Sequence, residues 1–100
     1  MMNLKDIIEK SQVCLYNIQI YDGYISPSIK THNIAYCFGD LANSGILSLE
    51  TSDDNITFFN VQTTEVKEGV FGFEYICSNI FLRLHYKGES NQITIFLNTS

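Results

Sequence analysis

The side chains that could do chemistry are few and scattered. His32 and His85 are the two histidines, and Cys14, Cys37 and Cys77 the three cysteines. A metal centre needs several His, Cys or carboxylate ligands converging on one point. There is no C-x-x-C pair, so zinc-ribbon and thioredoxin-like chemistry lack their usual spacing. His85 alternates along one strand with Arg83 and Phe81, which leaves no room for a closed ligand set. Ser44-Gly45 precedes an ordinary strand, and the chain has no G-x-S-x-G elbow to expose a serine nucleophile. Glu50, Glu74 and Glu89 could supply an acid/base pair, yet such pairs are made by their environment rather than by spacing. Ser52-Asp53-Asp54-Asn55 offers hard oxygens to calcium. It lacks D-x-D-x-D-G spacing, however, and Asp and Asn form turns by bonding their own backbone. The expectation is a non-enzymatic protein without metal or cofactor.

The elements that must carry these residues belong to one domain of 100 residues, large enough for one core. A 45% hydrophobic, 17% charged composition argues against disorder, and six Tyr and seven Phe with a single Pro favour strands. The net charge of −5, with no basic cluster, disfavours nucleic acid and acidic membrane surfaces as partners. No apolar leader or membrane-length segment is visible, which points to a protein made in a reducing cytoplasm with free, buried thiols.

Residues 3–10 place Leu4, Ile7 and Ile8 at helical spacing behind a candidate N-cap, Asn3. Residues 1–12 are therefore expected to form a short helix or arm, and residues 13–100 the globular domain. Residues 13–21 read as a strand with an irregularity near Tyr16-Asn17. Ser26-Pro27-Ser28 marks an irregular connection, and residues 34–38 a short strand ended by Gly39-Asp40. Residues 46–51 and 57–61 predict a hairpin around residues 52–56. Placing Leu49 opposite Phe59 and Leu47 opposite Val61 avoids burying the Asn60 amide. A strand over residues 70–77 puts Phe71, Phe73, Tyr75 and Cys77 on one face.

The clearest alternation is Phe81-Leu-Arg-Leu-His-Tyr86 followed by Gln92-Ile-Thr-Ile-Phe-Leu97. Read as an antiparallel hairpin, Leu84 faces Ile95, Leu82 faces Leu97 and Tyr86 faces Ile93, an entirely apolar set. The opposite face then carries Arg83 beside Phe96, with Phe81 and with His85 opposite Thr94, and Phe and Arg are residue types enriched in protein interfaces. Phe58 points away from Leu47 and Leu49 and is a similar candidate. About seven short strands with regular turn signals predict an all-β, antiparallel β-sandwich or jelly roll.

Residues 45–61, with Gly45-Ile-Leu-Ser-Leu leading into Ser52-Asp-Asp-Asn-Ile-Thr-Phe58, then Phe81-Leu-Arg-Leu-His-Tyr86 and Ile93-Thr-Ile95, resemble the jelly-roll cement (head-decoration) proteins of tailed bacteriophages. The chain departs from that pattern in carrying Asn55 where Gly is usual. The resemblance implies a virion structural protein that coats the capsid in many copies, bound to the major capsid protein or another virion protein. Leu4, Ile7, Ile8, Phe58, Phe81, Arg83 and Phe96 are the candidate partner-binding residues, and homo-oligomerisation is expected. The rival expectation is a glycan- or receptor-binding phage tail module, with its site in loops 22–33 and 87–91 around an exposed Tyr21 or Tyr24.

Overall fold

The computed structural model describes residues 12–76 and 80–99. Leu4, Ile7, Ile8, the expected N-terminal helix and Cys77 lie outside the described residues. Eight strands form: β1 (Val13–Ile20), β2 (Ile29–Lys30), β3 (Ile34–Leu41), β4 (Gly45–Ser52), β5 (Phe59–Val66), β6 (Gly69–Ile76), β7 (Phe81–Lys87) and β8 (Asn91–Thr99). They make two four-stranded antiparallel sheets, ordered β1-β8-β3-β6 and β2-β7-β4-β5. The fold is an all-β sandwich. Its single core draws Ile20, Cys37, Ile93, Ile95 and Leu97 from the first sheet and Leu47, Leu49, Leu82, Leu84 and Tyr86 from the second.

The chain keeps crossing between the two sheets. Only β4 and β5 are both consecutive in sequence and neighbours in one sheet. This corrects the hairpin expected of the last two strands. β7 pairs with β4 and β2, whereas β8 pairs with β1 and β3. Leu82, Leu84 and Tyr86 do meet Ile93, Ile95 and Leu97, but in the core that both sheets share. Alternation reports which face of a strand is buried, and two strands facing across a core alternate as two in one sheet do.

The β4–β5 hairpin exists in a different register. Leu49 lies opposite Gln62, Leu47 opposite Thr64 and Thr51 opposite Phe59, with an irregularity between Leu49 and Glu50. β5 is an edge strand, so its inward face lies at the rim. There Gln62 and Thr64 are half-buried and bond each other, Nε2 to Oγ1 at 3.3 Å. The rule against buried amides does not reach that position.

The eighth strand, β2, lies in the region read as an irregular connection. Residues 23–30 run along β7: the Gly23 amide donates to the Tyr86 carbonyl, and Ile29 pairs with Leu82. Pro27 interrupts the ladder. Buried Ser26 compensates, because its hydroxyl accepts the Leu84 N–H at 2.8 Å where a backbone carbonyl would otherwise serve.

The irregularity expected near Tyr16-Asn17 is present as a register shift between Leu15 and Ile18. Asn17 adopts a φ of 52°, and its backbone and side-chain oxygens accept hydrogen bonds from Gln92 Nε2 at 2.8 and 2.9 Å. β3 does not stop at Gly39 as expected but runs through it to Leu41. Gly39 is needed there because a Cβ would run into the Thr94 carbonyl of β8.

Candidate interaction surface

The outward residues of β7 and β4 meet in register, Glu50 opposite Arg83 and Ser48 opposite His85. Glu50 gathers both side chains: Arg83 Nε donates to Oε1 at 2.8 Å, and His85 Nδ1 lies 3.0 Å from Oε2 in a second hydrogen bond. The Arg83 guanidinium also lies over the Phe58 ring, 3.8 Å from its centroid. Burial pushes the Glu50 carboxyl up, but the hydrogen bonds and charges of His85 and Arg83 outweigh it and hold the group below its usual value.

A carboxylate–imidazole pair can serve a nucleophile as general base. The neighbouring hydroxyl is Ser48, and it lies 3.3 Å from the Thr63 hydroxyl in a hydrogen bond across β4 and β5. The arrangement therefore reads as a cross-strand ionic cluster capped by an aromatic ring. Among the described residues, no group of three His, Cys, Asp or Glu side chains could hold a metal ion.

The sequence-selected residues do not form one patch. Phe58 and Arg83 are in contact. Phe81 lies further along β7, with the Lys30 ammonium 4.6 Å from its ring centroid. Phe96 belongs to the other sheet, opposite Cys14 and Phe38 rather than Arg83. It is only 4% exposed and packs on Phe38 with ring centroids 5.3 Å apart. The Glu50–Arg83–His85 cluster was missed because it needs the β4–β7 pairing. Its signal was the opposite charge of the outward residues on those two strands.

Large exposed apolar side chains occur on several elements, among them Ile56 in the β4–β5 turn, 81% exposed. Val70 and Ile76 on β6 are 90% and 80% exposed, and Phe59 on β5 is 67% exposed. β5 and β6 are edge strands of the two sheets, joined only by residues 67–68. At one end of the molecule an open cleft of about 640 Å³ is lined by residues 43–46 and 87–89 together with Glu65 and Glu68. The carbonyl of Glu89, one of these lining residues, accepts the buried Tyr86 hydroxyl at 2.6 Å, and that hydroxyl accepts from Asn91 Nδ2 at 3.3 Å.

No protein-family model matches the chain, no curated protein matches it, and no solved structure matches it.

Proposed function

We propose that this chain is a jelly roll acting as a non-enzymatic structural binding module, a capsid decoration protein of the tailed-phage type. The strand pairing supports the jelly-roll reading. β1 lies beside β8, β2 beside β7, β3 beside β6 and β4 beside β5, as when one long hairpin is rolled into two sheets. The binding reading is carried by the exposed apolar side chains along β5 and β6, where solvent meets Phe59, Val70 and Ile76. Large contiguous apolar patches on soluble proteins mark interaction sites. On a symmetric particle each copy needs only a modest contact, because the lattice offers the same site many times and a multimer gains avidity. The partner on this reading is the major capsid protein or another virion protein, and the assembled location is the virion.

Cosedimentation with particles from the protein's source tests this reading, comparing the full chain with one lacking residues 1–12. Saturable binding that weakens on truncation supports decoration through the arm. Loss of binding in both forms overturns it.

One observation favours the rival class of glycan- or receptor-binding module. Residues 87–89, from the loop expected to form such a site, line the open cleft. Loop 22–33 does not join them as a free loop, since residues 23–30 are laid along β7. A glycan array with the full chain separates the two readings, because specific binding lost on Lys87→Ala would place the site in the cleft.

A further inference from the structure

β6 is an edge of the kind that proteins usually protect. Its eight residues pair with β3 in unbroken register from Ile34↔Ile76 to Leu41↔Gly69. No bulge turns it away, it contains neither Pro nor Lys, and Glu74 is its one charge. Among the described residues, no strand pairs with its other side. Long, regular, apolar edges recruit another strand unless charge, proline or a bulge forbids it.

We propose that β6 pairs with β6 of a second copy, antiparallel about a two-fold axis at Phe73, joining the two β1-β8-β3-β6 sheets into one of eight strands. Outward side chains stay on one face when the residue numbers of each pair sum to an even value, which puts the axis on a residue. An axis at Phe71 would set Glu68 opposite Glu74, which is unfavourable. An axis at Glu74 would set the two Glu74 carboxylates opposite each other, which is unfavourable. An axis at Gly72 would place Val70 against Glu74 and Ile76 against Glu68. The axis at Phe73 places Val70 opposite Ile76 twice, so the two most exposed aliphatic side chains of the strand cover each other. It also sets Glu74 opposite Gly72, which offers no competing charge or bulk. The strand is thus complementary to itself in one register.

This inference goes beyond the decoration reading and does not depend on it. A single strand pair is a small interface, so the dimer should be concentration-dependent. Each copy carries a net charge of −5, so added salt should strengthen it.

Sedimentation velocity of the full chain over a hundredfold concentration range tests the pairing. A monomer–dimer equilibrium is expected, with the dimer lost in Ile76→Lys and in Val70→Lys. Both positions face solvent, so thermal melts of the variants should match the parent at concentrations where the parent is monomeric. The register is tested by oxidising Val70→Cys/Ile76→Cys in a Cys77→Ser background. Opposed Cα atoms in an antiparallel pair lie about 4.5–5.5 Å apart, within disulfide reach. That double variant should trap a covalent dimer, whereas Val70→Cys/Glu74→Cys should not. A chain monomeric at every concentration, or a dimer indifferent to both lysine variants, overturns the proposal. Crosslinking by the Glu74 pair instead overturns the register. Particle binding by Ile76→Lys, measured alongside, reports on decoration separately.

Discussion

Arg83 lies over the Phe58 ring, its guanidinium carbon 3.8 Å from the centroid, on a face that also holds Glu50. The chain's only arginine is thereby committed to two partners, one on β4 and one in the β4–β5 connection. Arg suits this position because its planar group can stack and present a directed N–H together, which an ammonium cannot do. Arg83→Lys keeps the charge and should still cost about 1 kcal/mol, with Phe58→Leu costing a similar amount. Urea denaturation of the two variants and their combination should give a coupling of roughly 0.5–1 kcal/mol. Purely additive losses would show that the stack contributes nothing.

Glu50 makes stability depend on pH. Its folded-state pKa is depressed, because His85 and Arg83 outweigh the upward push of burial. The unfolded chain then binds a proton more readily than the folded one. The contribution is complete above the ordinary carboxylate value and is lost as the pH falls through the folded value. Glu50→Gln should therefore cost about 1 kcal/mol at pH 7. The gap from the parent should shrink as the pH is lowered through the carboxylate range. An equal gap at pH 7 and in acid would mean that Glu50 acts only by packing.

Two glycines in adjacent strands should answer oppositely to alanine. At Gly39 the new methyl would meet the Thr94 carbonyl, which belongs to the backbone of β8 and cannot rotate away. Gly39→Ala should cost about 3 kcal/mol, at the upper end of overpacking. At Gly72 the nearest atom is Phe38 Cβ at 3.6 Å, ordinary contact, and Gly72→Ala should stay within about 0.5 kcal/mol of the parent. Thermal melts of both variants decide the matter, and similar values would refute the packing argument.

Much of the fold could be read from single strands, and little of it from pairs. Alternation identified the buried faces of β6, β7 and β8, and the break at Asn17, because those depend on one strand's own sequence. Pairing depends on which strand lies beside which. β7 and β8 have the turn and the pattern of a hairpin, yet the loop between them crosses from one sheet to the other. That error placed Phe96 beside Arg83, in the wrong sheet, and hid the meeting of Glu50 with His85. β2 escaped because it is only two residues long and the segment leading into it is held to β7 partly by the Ser26 hydroxyl, which leaves no trace in a hydrophobic pattern.

Cys37 should be silent in the native protein. Burial among core side chains pushes its thiol up to about 12, leaving almost no thiolate near neutral pH. Cys14 is half-buried on β1. Iodoacetamide at pH 8 followed by peptide mapping should label Cys14 slowly and Cys37 only after denaturant is added. Labelling of Cys37 at native rates comparable with Cys14 would mean that the sandwich opens far more readily than its packing implies.

The acidic turn between β4 and β5 is organised by Asp54, whose Oδ1 accepts the Ser52 hydroxyl at 2.8 Å and the Ile56 and Thr57 amides at 2.9 Å each. Asn55 completes the turn at a φ of 62°, which Asn tolerates better than most residues. The Thr57 amide, then the Ser52 hydroxyl and the Ile56 amide, hold the Asp54 carboxyl at about 2 rather than its ordinary 3.8. Since the folded value is the lower one, the turn's contribution is present above 3.8 and is lost as the pH falls towards 2. A carbon-detected NMR titration should find Asp54 well below the ordinary carboxylate value, and Ser52→Ala should move it up towards that value. With these donors already on one oxygen, millimolar calcium should leave both the titration and the Thr57 amide shift unchanged. A calcium-dependent shift of that amide would show that the turn is a cation site and that its donors serve to aim the carboxylate.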